Sequence, residues 1–464
     1  MKATTGTLTI KQLSHEGRGI GIHPENPQGK TVFVQNALPN ETVSFRYLKH
    51  YKQFDEGITT EVLENPHPNR VKPLCPHTDI CAGCSLQHMS STAQLALKEN
   101  TLKDHFKHFA KIDISTLEPA IHHSAYHYRH KARLSVKEVL KKNKLLIGFH
   151  EHNGRYVADI DSCVVLEKSV GEQLPALKTL ISTLNAHNAI PQIEVAVADH
   201  ETALILRHVQ PLIKTDLEKI IAFAQEKSFS IYLQASKQDR ETLKTVQALW
   251  GNDILQEEGT KLIKLWPVNT PSLLHYRLPE QDCTLYFSPT EFTQINPAIN
   301  QRMLTQALAW LAPTPEDKAL DLFCGIGNFT LPLARLSKNV VGVEGTESMV
   351  LRGQYNAQEN HVDNIQFLAA DLNQSVSHFP LLDTSFDCIL LDPPRSGALQ
   401  VIETHFKTWQ AKRIVYISCN PATLARDAGI LVHQLGYRLE KIGILDMFPH
   451  TTHVESMALF TRKG

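Results

Sequence analysis

Cys419 lies in "YISCNPATLARD" (416–427), where an apolar run of strand type stops abruptly at Ser418-Cys419-Asn420-Pro421. A thiol in that place can be core filler, a metal ligand or a nucleophile. Two carboxylates elsewhere in the chain favour the nucleophile. Asp392 follows the apolar run "FDCILL" and opens Asp392-Pro393-Pro394-Arg395, a carboxylate and a rigid turn at the end of a second strand. Glu455, in "FPHTTHVESMALF", stands two residues after His453 and just ahead of an apolar strand, where a base can reach a site at a sheet edge. A separate set, Cys75-x5-Cys81-x2-Cys84 with Cys163 in "DIDSCVVL", supplies four thiolates. Spacing alone suits a [4Fe–4S] cluster or a tetrahedral zinc equally well. The C-x3-C-x2-C spacing of radical enzymes is absent from the sequence. Cys283, Cys324 and Cys388 read as structural.

The elements that must hold Cys419, Asp392 and Glu455 begin at about residue 290. Seven strand candidates follow, "ALDLF", "VVGVE", "IQFLAAD", "FDCILLD", "RIVYIS" and a closing pair around "LEKIGILDMF" and "SMALFTR", with helical stretches that separate the first five. This order predicts a mostly parallel, doubly wound, Rossmann-like sheet ending in a hairpin. In "LDLFCGIGNFTLPLA" (320–334), Gly325 and Gly327 let backbone approach a ligand and Asn328 begins a helix. Glu344 ends the next strand, 19 residues after Gly325, where an acid can accept ribose hydroxyls; Asp371 ends the third, placed for a base edge. These features indicate a nucleoside cofactor. The Asp392-Pro393-Pro394-Arg395 turn, useful as the wall of a pocket for a planar base, favours S-adenosylmethionine over a nicotinamide dinucleotide. Methylating an amino or hydroxyl group needs no thiol, whereas C5 of uracil is too weakly nucleophilic to react unaided. A thiolate adding to C6 makes C5 an enolate carbon, and a base must later remove the C5 proton. Cys419 and Glu455 suit those two tasks.

At 464 residues, 42% hydrophobic and 20% charged, the chain predicts two or three globular domains. The net charge of −1 means that any nucleic-acid surface is a local patch. Neither a signal-peptide core nor an apolar run long enough for a membrane helix appears, so a soluble, cytoplasmic protein is expected. Residues 1–66 hold five short β patterns with turn punctuation and balanced charges, an OB-like barrel by pattern. Residues 67–285 form a mixed α+β central region containing the four cysteines. Its helix, about 91–111, shows Leu95, Leu102, Phe106 and Phe109 near one face and is expected to pack on the C-terminal domain. The segment 126–145 carries seven Lys and Arg, including Arg129, Lys131 and Arg133, against one acid, Glu138, with Tyr126 and Tyr128 interleaved. RNA contact is expected there. Residues 286–464 form the cofactor domain.

The motifs D-x-F-C-G-x-G-x-F, D-P-P-R, S-C-N-P-x-T-x-x-R-D and H-x-E resemble those of the RNA uracil-5-methyltransferase family, over about 290–464. The resemblance implies Cys419 as nucleophile and Glu455 as base. It also implies Gln294, Phe323, Asn328, Glu344, Asp371 and Asp392 at the S-adenosylmethionine site, and Phe292 as a stacking partner for the target base. It favours a structural [4Fe–4S] cluster on Cys75, Cys81, Cys84 and Cys163, and an RNA-binding TRAM barrel at the N-terminus. Having both additions is similar to the ribosomal members of the family that modify uracil 1939 of 23S rRNA. Uracil-5 methylation of another rRNA position or of transfer RNA, and a non-catalytic RNA-binding iron–sulfur protein, are the competing readings.

Overall fold

The computed structural model describes residues 4–22, 29–152, 154–235, 240–250, 262–268, 270–372, 374, 376 and 379–462. Its C-terminal sheet has seven strands: Lys318–Leu322, Asn339–Glu344, Ile365–Ala369, Cys388–Leu391, Arg413–Ser418, Tyr437–Leu445 and Glu455–Arg462. Counted in chain order within the sheet, their spatial order is 3-2-1-4-5-7-6. The first five pair in parallel and the last two antiparallel. Strand order reverses beside Lys318–Leu322, so a crevice opens at the carboxyl ends of the first and fourth strands. Cys388-Ile389-Leu390-Leu391 is wholly buried on both faces, as a central parallel strand must be. Burial of each Ile or Leu there contributes about 1.5–3 kcal/mol. Between the third and fourth strands the described residues hold a 3₁₀ turn, Pro380–Leu382, where the alternation predicts a helix.

Two helices at the crevice start with the same device. Asn296 and Asn420 each cap a helix whose first residue is proline, Pro297–Leu311 and Pro421–His433. Each asparagine side chain accepts a hydrogen bond from a first-turn N–H, and proline removes an N–H that would otherwise lack a partner. The hairpin Leu274–Leu278 with Cys283–Phe287 packs into the core of this sheet. Its outer edge is closed by two asparagines one helical turn apart. Asn356 bonds the backbone N–H and C=O of Tyr286, and Asn360 bonds those of Thr284. Two side-chain amides thus stand where a further strand would pair.

The N-terminal strands Thr5–Thr9, Gln12–Leu13, Gly19–Ile22, Thr31–Gln35, Thr42–His50 and Phe54–Glu64 form one sheet. Its first two members are successive pieces of one bent segment. Thr5–Thr9 pairs with Thr42–His50 and Gln12–Leu13 with Gly19–Ile22, so this segment joins the two ends of the sheet. A second six-stranded sheet, from Lys131–Val139 to Leu262–Trp266, forms the middle of the molecule around a separate apolar core.

Helix Ser91–His105 packs onto helix Pro421–His433 and strand Tyr437–Leu445 of the C-terminal sheet. It continues as a π-helical turn, Phe106–Ala110. Leu102 and Phe106 are buried as the periodicity predicts, but Phe109 is 59% exposed and Ala110 is inside. A π turn takes one residue more than an α turn, which moves the inward position from 109 to 110. The same helix buries Gln94, Lys98 and Thr101, a polar face that hydrophobic periodicity does not reveal. No helix among the described residues is long and apolar enough to cross a membrane.

Candidate active site

Strand register brings Cys419 and Glu455 together. Ser418 pairs with Ser456 across the antiparallel fifth and seventh strands. The next residue on one strand, Cys419, therefore lies beside the preceding residue on the other, Glu455. Asp392 ends the adjacent fourth strand, and its N–H points to Leu322 O. Gln294 reaches over from the approach to helix Pro297–Leu311 and donates Nε2 to Asp392 Oδ2 at 3.3 Å.

Asn420, Thr423, Arg426 and Asp427 of the S-C-N-P-x-T-x-x-R-D motif all serve one purpose. Asn420 Nδ2 and the Thr423 hydroxyl donate to Arg395 O, and Arg426 donates to Ser396 O. Buried Asp427 accepts from Ala398 N–H and from the Tyr416 hydroxyl at 2.7 Å. The turn after Asp392 is thereby fixed to the helix that Cys419 precedes. At Gly397, φ is +79° and a Cβ would collide with Arg426 and Asp427, so glycine alone fits. In the sequence these residues form a motif; their common target emerges only from the fold.

The electrostatics are those of a buried acidic crevice. Burial, then Glu455 and Asp392, push the Cys419 thiol up to about 11, while Arg395 opposes. The N-terminus of helix Pro421–His433 also favours the thiolate. Burial and then Asp392 push Glu455 up to about 8, against Arg395 and Lys98. Burial raises Asp392 to about 7. Asp321, 1% exposed, rises to about 8 by burial; its Oδ2 accepts from Thr330 at 2.6 Å and its Oδ1 has no partner. Within the sequence Asp321 stands out only as the first letter of a motif.

The first strand leads into Phe323, Gly325 and Gly327, all at positive φ, which wrap backbone around the crevice floor. Glu344 accepts N–H groups from Gly325 at 3.1 Å and Thr346 at 3.2 Å, leaving each oxygen a second lone pair for a ligand. Asn328 is locked in a reciprocal amide pair with Asn300 and accepts from the Tyr276 hydroxyl. Asp371 is exposed past the third strand and accepts from Gln374. Phe292 is 69% exposed.

Over residues 271–463 the chain matches the family model tRNA (Uracil-5-)-methyltransferase. A 23S rRNA (uracil(1939)-C(5))-methyltransferase RlmD from Hahella chejuensis is 45% identical, over 98% of this chain and 97% of the relative. The chain belongs to the RNA uracil-5-methyltransferase family. An RlmD from Nitrosococcus oceani, also 45% identical, covers 98% of this chain and 96% of its own. Among solved structures, a Pyrococcus abyssi tRNA (uracil-54, C5)-methyltransferase in complex with S-adenosyl-L-homocysteine aligns with TM-score 0.69 at 23% identity. That alignment covers 98% of this chain and all of the other, and it shows the shared fold.

Outside the crevice, this uracil-5-methyltransferase family member gathers Cys75, Cys81, Cys84 and Cys163 around one cavity, with Arg129 and Phe149 also lining it. All four are free thiols. Burial pushes Cys81 up to about 11 and Cys84 to about 12, so thiolates there need a cation to stabilise them. Among the described residues no group of three or more His, Cys, Asp or Glu is placed so that it could hold a metal ion. In the basic segment, Arg129 lies over the Phe149 ring. Lys131 turns inward to donate to Pro289 O at 2.6 Å, and burial brings its pKa down to about 8. Tyr128 is buried and donates to Pro449 O, so it presents no stacking surface. Arg133 faces solvent beside Glu194.

Proposed function

We propose that this chain transfers a methyl group from S-adenosylmethionine to C5 of a single uridine in 23S rRNA, of the uracil-1939 type named for its relatives. The observation that carries the reading is that Cys419 and Glu455 stand together just beyond the Ser418–Ser456 pair, beside Asp392. The raised carboxyls of Asp321, Asp392 and Glu455 describe a crevice that favours a cationic occupant. S-adenosylmethionine, when bound, supplies an electrophilic methyl on a sulfonium, and that positive charge draws all three acids toward their ionised forms. Glu344 would hold its ribose hydroxyls, and Gln294, Phe323, Asn328 and Asp371 would surround the nucleoside.

The target uridine leaves its stack, at about a few kcal/mol, and lies against Asp392-Pro393-Pro394, with Phe292 stacking at the rim. The Cys419 thiolate adds to C6 and moves the ring π electrons toward O4. C5 takes the methyl group. Ionised Glu455 then removes the C5 proton, and the electron pair released restores the C5–C6 double bond and expels the thiolate. The products are 5-methyluridine and S-adenosylhomocysteine, and Glu455 passes its proton to solvent.

On the same reading, residues 1–66 are a TRAM barrel of OB type, 67–285 the central domain and 286–464 the methyltransferase domain. The joined ends of the N-terminal sheet support the barrel. Cys75, Cys81, Cys84 and Cys163 hold a [4Fe–4S] cluster of structural role, supported by their shared cavity. Arg133, with Arg129 and Lys131 behind it, belongs to the RNA-facing side, and the enzyme works in the cytoplasm. Incubation with methyl-labelled S-adenosylmethionine and 23S rRNA lacking the modification, followed by nuclease mapping, tests the assignment. Label in one 5-methyluridine of 23S rRNA is expected. Faster labelling of tRNA transcripts would move the substrate to transfer RNA.

A further inference from the structure

Glu455 is delivered to the crevice by the loop 446–454, which joins the last two strands of the sheet. Besides bonds from Thr451 to Phe448 O and from His453 N–H to the Thr451 hydroxyl, that loop is held by residues distant in sequence. From helix Ser91–His105, Gln94 and Lys98, one turn apart and 2% and 1% exposed, both point into it. Gln94 Oε1 accepts the N–H of His450 at 2.9 Å, and its Nε2 meets His450 Nδ1 at 3.1 Å while also donating to Leu86 O and Met89 O. Lys98 Nζ pairs with Asp446 at 2.6 Å and donates to Phe448 O at 3.0 Å. The N–H groups of Ser85 and Leu86 bond His450 O.

A buried ion pair is a poor way to stabilise a fold, because desolvating two charges offsets their attraction, and apolar side chains of similar size hold as well. What these two side chains add is direction, and Lys98 also opposes the rise of the Glu455 carboxyl, so Gln94→Leu is the variant that reads positioning alone. Between them they fix Asp446, Phe448 and His450, three alternate positions along the loop. Asp446 directly follows the sixth strand, and Leu445, next to it, pairs with Glu455. Resting on the function proposed above, we infer that Gln94 and Lys98 are positioning residues for the proton-abstraction half of the reaction. They hold the loop so that the Glu455 carboxylate meets the C5 proton, and they leave nucleophilic addition by Cys419 to the opposite strand. Gln94 and Lys98 thus support the 446–450 part of the loop, while Arg395 Nη2 meets His453 Nδ1 at 3.1 Å in its other part.

The test separates the halves. Wild type, Glu455→Gln, Gln94→Leu, Lys98→Met and the double variant Lys98→Met/Asp446→Leu are mixed with S-adenosylmethionine and unmodified 23S rRNA fragment. Formation and decay of the denaturation-resistant protein–RNA adduct are followed over a single turnover. The double variant removes both charges together, so no unpaired ion is left buried if Lys98→Met alone does not fold. Gln94 and Lys98 variants are expected to form adduct within about threefold of the wild-type rate and to resolve it about tenfold or more slower, as small misplacements of a reacting group do. Formation and decay slowed equally, or decay unchanged, overturns the inference. If Glu455→Gln itself accumulates no adduct and wild type yields none with a 5-fluorouridine fragment, the failure lies in the covalent reading, and the inference falls with it.

Discussion

Replacing Glu455 with glutamine should abolish turnover and yet stabilise the free protein, by an amount that grows with pH. Burial and the neighbouring Asp392 raise the Glu455 carboxyl from 4.5 to about 8. In the unfolded chain the same group ionises near its ordinary value. Between those two values the folded state holds a proton that the unfolded state has lost, so wild-type stability falls as pH rises through the window. The penalty is near zero at pH 4.5, about 3 kcal/mol at pH 7 and at most about 5 kcal/mol above pH 8, at about 1.36 kcal/mol per unit. A glutamine side chain does not ionise, so the Glu455→Gln variant escapes it. Thermal unfolding of the two proteins at pH 5, 6, 7 and 8, without ligand, reads the difference directly. The variant should be equal or nearly so at pH 5 and several degrees more stable at pH 7. Saturating S-adenosylmethionine should narrow the gap, because its sulfonium favours the ionised glutamate, whereas S-adenosylhomocysteine should narrow it less. A gap that does not change with pH would mean that Glu455 is already ionised in the free protein, and the charge account of the crevice would be wrong.

Other substitutions probe the supports of the site. Asn356→Ala removes the partner of Tyr286 N–H and C=O and of Ile326 O. A loss of about 2–4 kcal/mol is expected in denaturant unfolding, with weaker S-adenosylmethionine binding because Ile326 lies between Gly325 and Gly327. In Gly171→Ala the new methyl meets the carbonyl oxygen of Cys163, whose own N–H bonds Gly171 O. On the proposed cluster, the purified variant should carry less iron and sulfide than wild type, and full retention would contradict the proposal that Cys163 is a ligand. Asp427→Ala should lower the rate of adduct formation more than its decay, since Asp427 holds the turn after Asp392 through Ala398 and Tyr416. Equal effects on both steps would argue against that role.

The inner strands of the C-terminal sheet were legible in the sequence because Lys318–Leu322, Cys388–Leu391 and Arg413–Ser418 are short, largely apolar runs that end in turn residues or, at Asn420-Pro421, in a helix cap. The closing hairpin could be read from the apolar ends of its strands, "IGIL" and "SMALF". Helix Ser91–His105 was expected to pack on the C-terminal domain, but periodicity could not show which of its residues face the loop 446–454. Its buried face carries Gln94, Lys98 and Thr101, residues that count as polar in any pattern; Gln94 and Lys98 find their partners in the loop 446–454. The π turn at Phe106–Ala110 is likewise invisible to a 3.6-residue period, which is why Phe109 points outward. At the site, strand ends identified Cys419, Asp392 and Glu344 as chemistry-bearing positions. Their company was hidden: the Ser418–Ser456 register, the orphaned oxygen of Asp321 and the Asn300–Asn328 amide pair all depend on segments apart in the chain. In the basic segment, counting charges overstated the exposed surface. Lys131 is engaged by a carbonyl and Tyr128 by Pro449, and a sequence has no mark for which lysine turns inward.

The central claim is covalent catalysis by Cys419 on C5 of a uridine, and trapping tests it most directly. The protein is mixed with S-adenosylmethionine and a 23S rRNA fragment in which 5-fluorouridine replaces uridine, then denatured and resolved by size. Fluorine at C5 cannot leave as a proton, so the reaction should stall after methyl transfer as a protein–RNA adduct that carries the methyl group. That adduct is expected with wild type and absent with Cys419→Ala. No adduct from wild-type protein that demonstrably binds both ligands, or an adduct that survives Cys419→Ala, would contradict the account.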